Sequence, residues 1–244
     1  MQPSASHKAA LIYGGRKGIG NSLSNIYSAN GYDCIHLSRG SSPKDGDIYL
    51  DIDIPSSVEA SGLILDSKLH SIRPHHISLH FLCGGGMGLK PADSITNMAR
   101  VALHNYIFPY NQLRFLQNII GKTVFKCTVH ANFYFSAVAT SYSGCPIYVA
   151  SKTALEGLFK ALVKERINGF YYTAFRLGMV NVHYKYFSQL SKTSPAAFNQ
   201  LLSSNVPSAH FSTTEEVAEA VFAFSKNLEL ANGMICDVSG GNSW

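Results

Sequence analysis

Apolar residues in this chain gather into short runs separated by intervals of helical length. KAALIY, from Lys8 to Tyr13, enters a glycine cluster directly, and Asn21 to Asn30 then reads as a helix stopped at Gly31. Asp33 to Ser38, the YLDID stretch around Asp51 and His76 to Cys83 are further strand-like runs, with Ser56 to His70 helical between the last two. Thr96 to Ile119 predicts one long helix carrying Asn105, which Pro109 should kink or interrupt, because proline brings no N–H to the helical ladder. Cys127 to Phe135 is rich in strand formers and is the fifth strand, its start open to extension into Lys122 to Lys126. Tyr148 to Arg166 reads as helix and Tyr171 to Arg176 as strand. Thr213 to Asn227 is a helix opened by Ser212 or Thr213 with Glu215 and Glu216 in its first turn, and Met234 to Val238 closes the series. Strands alternating with helices predict a parallel, doubly wound α/β sheet in a single domain, with residues 1–7 flexible. The pattern is weak only from Met179 to His210, with two short helical pieces at most; a long loop inside a compact α/β domain reads as a lid over a binding site.

Composition narrows the class further. A hydrophobic fraction of 46% with 14% charged residues describes a well-filled core. The net charge of +5 is spread along the chain without a Lys/Arg run, so no nucleic-acid or membrane partner is expected, although an anionic ligand is mildly favoured. Cys34, Cys83, Cys127, Cys145 and Cys236 show no paired spacing and are odd in number, which predicts reduced thiols and a cytoplasmic setting. MQPSASHKAA lacks the apolar centre of a signal peptide. His36, His80, His104 and His130 are scattered without ligand spacing, so they read as structural and no metal site is expected.

The first candidate site is Gly14-Gly15-Arg16-Lys17-Gly18-Ile19-Gly20, lying after a strand and before a helix. Without side chains in the way, backbone N–H groups and the helix N-terminus can approach a pyrophosphate, which the helix dipole also favours. In dinucleotide folds an acid at the end of the second strand selects NAD by accepting from the ribose 2′-hydroxyl, whereas a base pairs with a 2′-phosphate. Here Ser38 is followed by Arg39, and Arg16 offers a second cation, so the expected cofactor is NADP(H).

The second candidate lies in SAVATSYSGCPIYVASKTAL, from Ser136 to Leu155, where Tyr148 and Lys152 are four residues apart and Ser136 stands twelve residues upstream. On a helix the two side chains share a face. A free phenol, with a pKa of about 10, is a poor acid or base near neutrality, and a fixed cation beside it stabilises the phenolate. Taken alone, a tyrosine beside a solvated lysine on an amphipathic helix explains the pair equally well.

Taken in order along the chain, these motifs resemble the classical short-chain dehydrogenase/reductases from Lys8 to Gly241. The likeness is carried by the GGRKGIG turn, Asp51-Ile52, Asn105, Ser136, YVASK at Tyr148 to Lys152, Leu177-Gly178 and the closing GMICDVSGG. The resemblance implies a Rossmann-like fold and hydride transfer between NADP(H) and a small carbonyl or alcohol substrate. It assigns Tyr148 as proton donor or acceptor, Lys152 as its electrostatic partner and a ligand of the nicotinamide ribose, Ser136 as the group orienting the substrate oxygen, and Asn105 as part of a proton relay to Lys152. Asp51 and Ile52 would meet the adenine, Gly178 and Val180 the nicotinamide side, and the small residues Cys83, Gly84 and Gly85 would let the cofactor pass close. Thr140, Ser141 and Ser143 are rivals to Ser136, and Asn105 has an alternative as a packing amide.

The chain departs from the family in three places. Leu82-Cys83-Gly84-Gly85-Gly86 stands where an Asn-Asn-Ala-Gly is usual, Leu177-Gly178 replaces Pro-Gly, and the threonine expected near Asn181 and His183 is missing. An alternative is therefore a non-catalytic dinucleotide sensor or scaffold of the same fold. The lid mixes Tyr184, Tyr186, Phe187, Phe198, Leu201 and Leu202 with His183, Lys185 and Lys192, and fits a ketoacyl-type or a small biosynthetic ketone substrate; the aromatics serve equally as core or subunit contacts. A homodimer or homotetramer is implied by the resemblance, and the stripe Leu155, Leu158, Phe159, Leu162 is compatible both with that and with core packing.

Overall fold

The computed structural model describes residues 7–38, 48–49, 55–82, 95–122, 126–136, 146–181 and 184–241. Seven parallel strands form one sheet: β1 (Lys8–Tyr13), β2 (Tyr32–Ser38), β3 (Ile48–Tyr49), β4 (His76–Phe81), β5 (Thr128–Ser136), β6 (Phe170–Leu177) and β7 (Ile235–Val238). Their order is β3-β2-β1-β4-β5-β6-β7, so the winding reverses between β1 and β4. In such a sheet the crevice for a ligand opens at the carboxyl ends of the strands beside that reversal. The doubly wound expectation holds. The strand expected around Asp51 is the two-residue β3, paired through Leu37↔Ile48 and Ser38↔Tyr49, and Asp51 lies outside the described residues.

Helices cover both faces. On one side α2 (Pro55–Ile72), α4 (Phe108–Lys122) and α5 (Pro146–Glu165) pack over Leu11, Leu79, Phe133 and Phe135. On the other, α1 (Ile19–Ala29) and α8 (Thr214–Phe224) pack over Ile12, Tyr134 and Phe175. Leu155, Phe159 and Leu162 of α5 are core residues and Leu158 packs against them, so that stripe is used within the chain. Because both faces are covered, the polar residues alternating along β4 and β5 are buried too: Ser78, His80, His130 and Asn132 have no exposed surface.

Three local outcomes differ from the sequence pattern. The long helix expected from Thr96 to Ile119 is α3 (Ile95–Ala102), a π-helical turn at Leu103–Ile107, and α4. Pro109 is the cause: it has no N–H for the carbonyl of Asn105 four residues earlier, and the ladder passes over the gap by i→i−5 bonding, as in Phe108 N–H to Leu103 O. The weakly patterned lid contains two full helices, α6 (Tyr184–Thr193) and α7 (Pro195–Asn205), the second with Pro195 at its first position. A short helix, α9 (Leu228–Ala231), precedes β7. As expected, Thr213 opens α8, and it does so with a complete capping box through Glu216.

Candidate functional site

The glycine turn between β1 and α1 is tightly built. Gly14 N–H donates to Leu37 O of β2 at 2.9 Å, and on the other side Leu82 N–H donates to Tyr13 O at 3.1 Å. Gly14 and Gly18 adopt φ of 84° and 54°. Gly20 has no room for a side chain: a Cβ there would press into Gly14 O and stand 2.6 Å from Gly15 Cα. The start of α1 is open for an anion. Its N-cap, Gly18, has no side chain to bond the first N–H groups, and no acid lies in the first turn. By contrast, α8 fills its own N-terminus with Thr213, Glu215 and Glu216. Within the turn Arg16 is half-buried and Lys17 exposed, and Ile19 begins the helix. Ser38 ends β2, with its backbone paired to Tyr49. Arg39, Asp51, Ile52, Cys83, Gly84 and Gly85 lie outside the described residues, as do Thr140, Ser141 and Ser143.

The second group collects at the carboxyl ends of β5 and β6. Ser136 is the last residue of β5 and is half-buried, in register with Leu177 of β6. Gly178 follows, where a Cβ would come within 2.5 Å of Ser239 O, so the C-terminal segment closes directly against this turn. Val180 is buried and bridges Ser212, with Asn181 N–H donating to Ser212 O at 2.8 Å. That bridge joins the two ends of the lid segment. Phe198 of α7 stacks edge-on against Phe211 at 5.7 Å, so it serves the base of the lid.

Tyr148 and Lys152 lie one turn apart on α5, as their spacing predicts. The Lys152 ammonium sits 5.8 Å from the centre of the Tyr148 ring. Lys152 is 8% exposed, and a buried cation must be compensated. Its Nζ donates to the carbonyl oxygen of Tyr134, two residues before Ser136, at 3.3 Å. The lysine therefore links α5 to the strand that ends in Ser136. Ser151 Oγ donates back to Tyr148 O at 2.8 Å, reinforcing the first turn that carries the tyrosine.

Asn105 is 1% exposed in the π turn, which packs against α5. Its Nδ2 donates to Val101 O at 2.9 Å, and its Oδ1 has no hydrogen-bond partner among the described residues. An acceptor buried without a donor costs about 1–3 kcal/mol, so this oxygen favours a polar visitor. The Tyr134 carbonyl is the contributor the sequence hid, because a backbone acceptor leaves no trace in residue type.

Among the described residues no three His, Cys, Asp or Glu side chains gather as a metal site, and no helix is long and apolar enough to cross a membrane.

No protein-family model and no curated sequence matches the chain. Solved structures do match. A 4-hydroxyisoleucine dehydrogenase complexed with NADH superposes with a TM-score of 0.81 at 18% identity, covering 96% of this chain and 98% of its own. An L-sorbose reductase from Gluconobacter frateurii, complexed with NADPH and L-sorbose, gives 0.81 at 18% identity over 100% and 99% of the two chains. An actinorhodin polyketide ketoreductase variant with NADPH gives 0.79 at 18% identity, again over 100% and 99%. The likeness is one of fold over the whole chain.

Proposed function

We propose that this chain is a divergent classical short-chain dehydrogenase/reductase, an NADP(H)-dependent oxidoreductase that reduces a small ketone or aldehyde, or oxidises the corresponding secondary alcohol. The single observation that carries the reading is the buried Lys152 ammonium held between the Tyr148 ring and the Tyr134 carbonyl, beside the strand end that bears Ser136. The open N-terminus of α1 behind a glycine turn with no space for side chains supports a dinucleotide at the reversal of the sheet. Gly14, Gly18, Ile19 and Gly20 line the approach of the pyrophosphate, with Arg16 and Lys17 supplying charge. Ser38 and Arg39 meet the 2′-phosphate, Asp51 and Ile52 the adenine, Cys83, Gly84 and Gly85 the central passage, and Gly178 and Val180 the nicotinamide end.

When bound, NADPH supplies the hydride. The protein's own part is the proton and the geometry. Tyr148 gives its phenolic proton to the carbonyl oxygen as negative charge develops there. Lys152 stabilises the phenolate left behind, in a setting where little water competes. Ser136 donates a hydrogen bond that fixes the substrate oxygen. Asn105, on the π turn packed against α5, presents its unpaired Oδ1 to a relay returning a proton toward Lys152. The lid helices α6 and α7 cover the substrate, which is a ketose-like or ketoacyl-like molecule. The reading carries with it a cytoplasmic setting and a homodimer or homotetramer.

Two measurements test this. NADPH fluorescence titration reads binding, and loss of NADPH absorbance across a panel including L-sorbose, an aldose and a bicyclic ketone reads turnover. Tyr148→Phe should abolish turnover while leaving NADPH affinity within about twofold, since the hydroxyl acts on substrate. Normal turnover in that variant rules out the mechanism. A kcat/KM with NADH equal to or better than with NADPH rules out the cofactor preference. Binding without turnover across the panel moves the protein to the sensor or scaffold reading.

A further inference from the structure

We infer that Tyr134 and His80 are positioning residues for the catalytic lysine: the side chain of Tyr134, anchored by His80 on one face of the sheet, fixes the backbone carbonyl that holds Lys152 on the other. The inference rests on the catalytic reading of Tyr148 and Lys152 given above.

Sheet pairing places this carbonyl at the edge of what β4 holds among the described residues. β4 accompanies β5 only as far as Phe81↔Phe133. At the next residue Leu82 N–H donates to Tyr13 O of β1, and the residues that follow it lie outside the described ones. From Tyr134 to Ser136, among the described residues, β5 is paired with β6 alone. The Tyr134 carbonyl thus lies one residue past the last described pair of β5 with β4.

The side chain of Tyr134 supplies a constraint of its own through hydrogen bonds whose directions follow from a donor count. Ser78 Oγ gives its proton to Tyr27 Oη at 2.9 Å. Its contact with His80 Nε2 at 2.9 Å must then be donated by the imidazole, so Nδ1 of His80 is an acceptor. The 2.7 Å contact between His80 Nδ1 and Tyr134 Oη is donated by the tyrosine. Near Tyr27, Ser225 Oγ donates to Phe222 O at 2.7 Å. Asn132 Nδ2 adds a donor to Ser78 Oγ at 3.4 Å. The chain runs one way, from β5 through β4 to Tyr27 of α1.

Packing alone does not require such a chain. The Tyr134 ring already stacks on Phe175 at 5.8 Å, which phenylalanine would do as well. A buried hydroxyl, an imidazole and a serine are tolerated only when every donor finds an acceptor, and once satisfied they allow one arrangement. That arrangement sets the rotation of the Tyr134 residue, and with it the direction of its carbonyl toward Lys152 Nζ.

The test reads the lysine's effect on Tyr148 without any substrate. Ultraviolet titration of phenolate, taken as wild type minus Tyr148→Phe, isolates the Tyr148 step, and NADPH fluorescence gives the affinity to which Lys152 contributes. In the Tyr134→Phe background, the Tyr148 step should move to higher pH by about one unit. NADPH affinity should fall about threefold or more, in the direction set by Lys152→Ala. Ser78→Ala, which breaks the same chain two bonds further on, should shift the step in the same direction by less. Thr173→Val removes two buried hydrogen bonds on the same face, with His130 and to Ala231 O, that do not reach Tyr134, and should lower thermal stability while leaving both readouts at wild type. If Tyr134→Phe and Thr173→Val cost stability alike while the Tyr148 step and NADPH affinity stay unchanged, the inference is overturned. If the wild type itself shows no Tyr148 step below the ordinary phenol range and binds no NADPH, the catalytic reading has failed first.

Discussion

The three buried histidines of the central strands make the fold acid-labile at a pH where most domains of this kind are comfortable. Burial holds His80 and His130 down to about 3 and His76 to about 4, from an ordinary value of 6.5. Their mutual repulsion adds to the effect. The unfolded chain therefore binds more protons than the folded one from pH 6.5 down to pH 4, the excess approaching three near pH 5, and stability must fall as pH falls through this interval. At pH 5 the loss depends only on the ordinary value, because all three are still neutral when folded. Each histidine then withdraws about 2 kcal/mol relative to neutral pH, and the three together about 6 kcal/mol, against a total stability on the order of 5–15 kcal/mol. The carboxylates held low, Glu156, Glu215 and Glu216, release their contribution only further down, so this window belongs to the histidines. Urea unfolding followed by far-ultraviolet circular dichroism at pH 7.5, 6 and 5 measures the slope. His130→Gln keeps a donor for Thr173 Oγ1 and should flatten that slope by one proton, about 1.4 kcal/mol per pH unit. Stability equal at pH 7.5 and 5, or a slope unchanged in His130→Gln, refutes the reasoning.

Further outcomes are expected from single substitutions. Gly20→Ala forces the glycine turn apart, since the new methyl meets the backbone at Gly14 and Gly15, and NADPH affinity should fall at least tenfold in fluorescence titration while circular dichroism retains the folded spectrum. Thr213→Ala removes the hydroxyl that accepts Glu216 N–H at 3.1 Å and should cost about 1 kcal/mol in urea unfolding with turnover unchanged. Lys152→Ala should reduce both NADPH affinity and kcat, whereas Tyr148→Phe reduces kcat alone; a Lys152→Ala enzyme with wild-type affinity would remove the lysine's second partner.

Much of the fold could be read from the residues because local signals agreed with one another. KAALIY followed by GGRKGIG marks a strand, a turn and a helix start by three separate chemistries, and the Tyr148 to Lys152 spacing needs only a helix to bring the pair onto one face. The π turn was half legible: Pro109 announces an interruption, but whether the chain kinks, breaks or widens depends on what packs against Asn105, which is α5, far along the sequence. The lid helices were obscured for a different reason. Most of the described side chains of α6 and α7 are exposed, so they show no need of an apolar stripe, and Ser194-Pro195 at the start of α7 was the usable sign. The polar face of β4 misleads most. His-Ile-Ser-Leu-His-Phe alternates as a half-exposed strand would, yet all six residues are buried. In a sheet covered on both faces, alternation means that the polar residues must bond with one another, which is what Ser78, His80, Asn132 and Tyr134 do.

The bridge between Val180 and Ser212 bears on how such a chain changes over time. The two ends of the segment from Met179 to His210 meet here, and Ser208 N–H donates to Gly240 O nearby, so the segment leaves and rejoins the body of the protein at neighbouring points, like a handle. Once a loop's ends are joined, adding or removing residues between them changes its entropic cost only with the logarithm of length. The handle can be lengthened, shortened or exchanged without moving Ser136, Tyr148 or Lys152. On the proposed function, selectivity for substrate would drift as a replaceable cassette while the residues proposed to move the proton stay fixed in the scaffold.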